Sequence, residues 1–98
     1  MLSITRIKQL KSLHKKKFRR QENKFLLEGY RLVFQALSAN TEIEEIWMTK
    51  KSLESPKGKN LIKQIENIYI PWNIVPNKII RQISDSLNDQ GIIALAPI

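Results

Sequence analysis

Apolar residues recur along this chain in two rhythms, one helical and one strand-like. Near the N-terminus Ile4, Ile7, Leu10 and Leu13 fall at three-residue steps, with Lys8, Lys11 and Lys15 on another side. That spacing predicts a helix from Ser3 to about Phe18, with a narrow, drifting face that suits a peripheral position. Phe25–Leu27 is an apolar run of strand length and ends at Glu28-Gly29. Leu32, Val33, Ala36 and Leu37 then make one helical face, so strand, turn and a helix over Tyr30–Leu37 are predicted. Ser38-Ala39-Asn40-Thr41 breaks that helix. Ile43–Met48 is the second predicted strand, with Trp47 in the core. Ser52 to Lys59, with Pro56 and Gly58, reads as a turn-rich surface segment. Leu61, Ile62 and Ile65 sit on a short helix, and Ile68-Tyr69-Ile70 is a third strand closed by Pro71. Pro76 suits the first turn of another helix, whose face is Ile79, Ile80, Ile83 and Leu87. Asn88-Asp89-Gln90-Gly91 turns into the last strand, Ile92–Ala96. Short apolar strands alternating with helices predict an α/β protein with helices on both faces of a mainly parallel or mixed sheet.

Length and composition narrow this. The chain has 98 residues and no cysteine. It has room for one domain, and a chain of this size buries about 60–65% of its unfolded surface. Disulfides and thiolate metal sites are excluded, which fits a reducing compartment. The opening Met-Leu-Ser-Ile-Thr-Arg-Ile-Lys places charge where a signal peptide needs its apolar core. No apolar run approaches bilayer length. A soluble, cytoplasmic protein without membrane association is expected.

The distribution of charge says more than its total. Formal net charge is +8 and the pI about 10.0. Up to residue 31 the cations are Arg6, Lys8, Lys11, Lys15, Lys16, Lys17, Arg19, Arg20, Lys24 and Arg31, against Glu22 and Glu28 alone. The remaining seven cations are matched by seven acids, so the whole excess lies in the first third. One-sidedness of this kind favours a polyanionic partner over a merely solvated helix face. Glu28-Gly29 opens a helix beside that basic stretch, and the unpaired N–H groups of a helix start suit phosphate. An ordinary helix start accounts for the same pair, since the acid suits the dipole and the glycine a tight turn.

Much enzyme chemistry is missing. The glycines are Gly29, Gly58 and Gly91, so there is no glycine-rich phosphate loop. His14 is the single histidine, which excludes a paired-imidazole zinc site and a serine–histidine relay within one chain. It reads as a solvated residue inside a basic helix. Glu42, Glu44 and Glu45 read as a strand-edge or helix-end cluster rather than a catalytic pair. The chain alone is expected to be non-catalytic and to carry neither metal nor cofactor.

Ile7-Lys8-x-Leu10, Lys16-Lys17-x-Arg19, Phe25-Leu26-Leu27-Glu28-Gly29-x-Arg31-Leu32-Val33 and Gln90-Gly91-Ile92 occur in that order. The array resembles the N-terminal substrate-binding domain of the SpoU/TrmH-family (SPOUT superfamily) RNA 2′-O-ribose methyltransferases, over nearly the whole chain. Two positions depart from that pattern: Thr5-Arg6 stands where the family often has an Asn before the Ile-Lys pair. Leu87-Asn88-Asp89 stands where it often has Thr-x-x before Gln-Gly. The resemblance implies a three-layer α/β/α sandwich with a small mixed sheet, like the small ribosomal and kink-turn RNA-binding proteins. It implies a substrate-binding domain over residues 1–98, with a basic helix and arm at about 1–24 and an α/β body at about 24–98. A knotted S-adenosylmethionine-binding methyltransferase domain would follow, in a parent protein that is a homodimer. The chain would then be a fragment ending at the domain boundary.

The partner implied is structured RNA, ribosomal or transfer. Its contacts are expected at Lys8, Lys11, Lys15, Lys16, Lys17, Arg19, Arg20, Lys24, Glu28, Gly29, Tyr30, Arg31, Gln90 and Gly91. Five phosphate contacts from Lys15 to Arg20 would give log affinity a slope against log salt on the order of −4. Glu28 would accept from a base edge, Gly29 would let RNA approach the backbone, and Tyr30 would stack on an unpaired base. Gly29 follows the C-terminal end of its strand while Gly91 precedes the N-terminal end of its own. They meet only if the last strand runs antiparallel to the first. Two other readings stay open: a free-standing ribosome-associated protein of the same fold, and a basic module that docks an acidic protein. No helix-turn-helix spacing favours DNA.

Overall fold

A computed structural model describes residues 2–98. Four strands form one sheet: β1 (Lys24–Glu28), β2 (Glu45–Met48), β3 (Trp72–Ile74) and β4 (Ile92–Pro97), in the order β1-β4-β2-β3. β4 is antiparallel to both β1 and β2, whereas β2 and β3 are parallel. The sheet is therefore mixed, and β1, β2 and β3 share one direction. Side-chain alternation along each strand sends residues to two opposite layers. Ile92, Ala94 and Ala96 of β4, Ile46 and Met48 of β2 and Leu27 of β1 join one buried cluster. Ile93, Leu95 and Trp47 join the other. The first layer is covered by α3 (Tyr30–Ser38) and α5 (Pro56–Glu66), the second by α1 (Ile4–Ser12) and α6 (Asn77–Ile83). Helices thus lie on both faces of a mixed sheet, as the alternation predicts, in the three-layer α/β/α sandwich that the resemblance implies. Trp47 is 1% exposed, as a core residue should be.

Several elements differ from the pattern-based reading. The N-terminal helix is two helices, α1 and α2 (Lys16–Glu22), broken at Leu13–Lys15. The break has an evident agent: the Arg19 guanidinium donates to the carbonyls of Leu13 (3.0 Å) and His14 (2.8 Å). It thereby satisfies acceptors that a helix end leaves open. On α3 the buried face is Tyr30, Val33 and Ala36 rather than one containing Leu32, which is exposed.

The segment read as a surface turn, Ser52–Lys59, is helical: it holds most of α4 (Lys50–Glu54) and the start of α5. Thr49 caps α4 by accepting from the Ser52 N–H, and Ser55 caps α5 by accepting from the Gly58 N–H. Pro56 occupies the first turn, where its missing N–H costs nothing. Gly58 is buried against α4, where an added Cβ would lie 2.0 Å from the Ser52 carbonyl oxygen. Both residues that look like turn punctuation thus serve a helix start and a close helix approach.

The third strand lies after Pro71, not before it. Ile68 and Tyr69 are exposed, and Tyr69 has φ 56°, outside strand geometry. α6 ends at Ile83, so Leu87 leaves the predicted face and stands fully exposed in the loop to β4.

Candidate nucleic-acid interface

The strand directions decide what meets at each end of the sheet. Glu28 pairs with Ile93, Met48 with Ile92 and Met48 with Ile74. The C-terminal ends of β1, β2 and β3 therefore lie beside the start of β4. Gly29 and Gln90-Gly91 do meet there: Gly29 N–H donates to the Ile92 carbonyl (3.2 Å), and Tyr30 N–H to Gln90 Oε1 (2.9 Å). Both glycines have positive φ, 92° and 74°. A Cβ at Gly29 would approach Gln90 Oε1 to 3.0 Å, and one at Gly91 would approach Thr49 Oγ1 to 2.6 Å. The glycines are required by this junction itself.

The loop between α6 and β4 ties the junction to the basic arm. Glu28 accepts from the Ser84 hydroxyl and from the Asp85 N–H (3.5 Å). His14 Nε2 meets the Ile83 carbonyl at 2.6 Å, and its Nδ1 lies 4.0 Å from Glu28 Oε2. His14 is thus half-buried at the α1–α2 turn and joins three segments, unlike the solvated residue the sequence suggested. Lys8, Lys11 and Lys15 line one hollow of about 330 Å³ with Asp85. Across the loop, Gly29, Arg31 and Gln90 line a second hollow of about 200 Å³. A third, of about 710 Å³, is bordered by Gly91, Gln90, Lys51, Lys57 and Asn77, with buried Tyr30 at its floor. The result is a strip of exposed cations running past the glycine junction.

Not every predicted residue joins that strip. α2 starts beside His14 and runs back to Asn23, so exposed Lys15, Lys16 and Lys17 lie nearer the junction than Arg20 does. Arg19 is committed to its own backbone carbonyls. Lys24 begins β1, pairs with Pro97 and forms a 3.0 Å ion pair with Glu44. That places it at the opposite end of the sheet, about 13 Å away at 3.3 Å per strand residue. Tyr30 is 6% exposed, and its hydroxyl donates to the Ser52 carbonyl (2.9 Å), so its ring is not free to stack on a base. Glu28 spends its carboxylate on the Ser84–Asp85 turn. Lys51 and Lys57 also border this end of the sheet and were not singled out in the sequence, where charge in the last two thirds sums to zero; uncharged Asn77 carried no such signal. Among the described residues, no cluster of His, Cys, Asp or Glu is suited to a metal, and no helix is long and apolar enough to cross a membrane.

The MRM3-like substrate-binding domain family matches residues 5–94. The chain belongs to that family. The resemblance read from Ile7-Lys8, Lys16-Lys17-x-Arg19, Glu28-Gly29-x-Arg31 and Gln90-Gly91 therefore stands. Among solved structures, the domain is similar to an RNA 2′-O ribose methyltransferase, with 29% identity and a TM-score of 0.78 over 97% of this chain. It shares its fold with an rRNA methyltransferase from Sinorhizobium meliloti (21% identity, TM-score 0.74, all of this chain). The same holds for the SpoU methyltransferase AviRb from Streptomyces viridochromogenes in complex with AdoMet (12%, 0.81, 98%). The substrate-binding domain spans about a third of those proteins, 35%, 35% and 36% of their respective lengths. No curated protein matches its sequence.

Proposed function

We propose that this chain is the RNA-holding domain of an S-adenosylmethionine-dependent RNA methyltransferase of the SpoU family. Its substrate is ribosomal RNA in the first instance, with transfer RNA as the alternative. The observation that carries the proposal is the meeting of Gly29 and Gln90-Gly91 at one sheet end, flanked by exposed Lys8, Lys11, Lys15 and Arg31. Family membership supports it, as does the similarity to an RNA 2′-O ribose methyltransferase. The domain's task is positioning: lysines and arginines fix the register of the phosphate backbone, and the loops choose the local RNA shape.

Chemistry belongs to a separate domain of a dimeric, cytoplasmic parent protein, where the donor's methyl group passes to a ribose 2′-hydroxyl. The large cavity of this chain does not suit that donor, because Lys51 and Lys57 at its wall would repel a sulfonium cation. With Arg19 committed to carbonyls, Lys15, Lys16, Lys17 and Arg20 remain for phosphates on this segment. The contribution of this segment to the slope of log affinity against log salt is then about −3 rather than −4. Reversing charge at Lys16 and Lys17 should weaken binding to every structured RNA and flatten the slope by about one unit for each phosphate no longer held. An unchanged slope would contradict the proposal.

A further inference from the structure

We infer that the cavity beside Gly91 receives one unpaired nucleotide of the RNA, with its phosphate against Lys51 and Lys57 and its base edge against the amides of Asn77 and Gln90. The inference rests on the RNA-binding reading above and narrows it to a substrate feature.

Size comes first. The cavity measures about 710 Å³, within the range of about 300–1,000 Å³ that encloses small ligands. Its floor is already satisfied. The Tyr30 hydroxyl donates to the Ser52 carbonyl, Thr49 Oγ1 accepts from the Ser52 N–H, and Ser55 donates to the same Ser52 carbonyl. The groups left for a ligand stand at the wall. Lys51 and Lys57 are exposed and have no carboxylate partner among the described residues. Gln90 Oε1 is held by the Tyr30 N–H, which fixes the amide and leaves both Nε2 hydrogens for an acceptor. Asn77 offers a donor and an acceptor. Asp89 is the one carboxylate at the wall, and its Oδ1 accepts from the Gly91 N–H. Two cations against one acid leave the cavity positive.

This combination does not suit a duplex. In an RNA helix the major-groove edges lie too deep for side chains and the shallow minor groove is met mostly through 2′-hydroxyls and phosphates, whereas a splayed-out base presents its edge to a pocket. Gln90 and Asp89 line both this cavity and the hollow that holds Arg31. The two hollows therefore adjoin, and a strand held at Arg31 would reach the cavity.

The test uses the 98-residue chain and two RNA hairpins with the same compact apical loop, one with a fully paired stem and one identical but for a single-nucleotide bulge in the stem, with affinity read by fluorescence anisotropy. Lys51→Ala with Lys57→Ala should weaken binding of the bulged hairpin about 10-fold and of the paired one less than about 2-fold, and flatten the salt slope on the bulged RNA by about one to two units. Asn77→Ala should cut discrimination between bulged bases about 5-fold or more and leave the slope unchanged. Thermal unfolding of these surface variants should match the parent, which separates binding from folding. Equal losses on both hairpins, or none on the bulged one, would overturn the inference. If Lys16→Glu with Lys17→Glu abolishes binding while the Lys51 and Lys57 variant binds normally, the cavity assignment falls and the RNA-binding reading survives. If the parent chain binds neither hairpin, both fall.

Discussion

Gly29 and Gly91 do one job and Gly58 another, and only the first was legible in the sequence. Gly29 and Gly91 sit in motifs and hold positive φ at the sheet end. Gly91→Ala would both strain the backbone and drive a Cβ to 2.6 Å from Thr49 Oγ1; a loss of about 2 kcal/mol in chemical denaturation is expected. Gly58 looked like a turn residue because it follows Pro56. It is instead the place where α5 crosses α4, and Gly58→Ala should cost about 2–3 kcal/mol or more, since the obstructing atoms are backbone. His14 was equally opaque: nothing in a basic helix pattern signals a contact with Ile83, sixty-nine residues away. Its removal leaves the Ile83 carbonyl without that partner, so His14→Ala should lower stability by about 1–2 kcal/mol. Hydrogen exchange in the loop before β4 should rise with it.

At the level of elements, what was legible follows burial. β4 and β2 are buried on both faces, so their near-continuous apolar runs identified them. β3 has three residues, two of them exposed, while Ile68-Tyr69-Ile70, exposed at Ile68 and Tyr69, imitates a strand next door. Periodicity had no means of choosing between them. The α1–α2 break escaped for a different reason: it depends on a side chain six residues on, not on local propensity. Arg19→Ala should therefore behave as a structural variant. It should cost about 1–2 kcal/mol through the two released carbonyl contacts, whereas Lys16→Ala should leave the unfolding midpoint nearly unchanged. Ser55→Ala tests the cap that turned a supposed loop into α5, with an expected loss of about 1 kcal/mol.

For the molecule as a whole, one topological fact organises function: β4 runs against its neighbours. That brings Gly29 and Gly91 to the same end, and the Glu28 contacts with Ser84 and Asp85 hold the loop beside the arm. The lopsided charge points to the kind of partner proposed here but not to the extent of the proposed surface. It included Lys24, which belongs to the far end, and passed over Lys51 and Lys57, whose charge is cancelled in sequence but not in space. Backbone amide shifts of the isotopically labelled chain, titrated with a structured ribosomal RNA hairpin, test the account most directly. It predicts perturbations at Lys8, Lys11, Lys15–Lys17, Gly29, Arg31, Gln90 and Gly91, with Lys24 and Glu44 silent. Perturbations centred on Lys24 and Glu44, or none along the arm and the glycine junction, would contradict it.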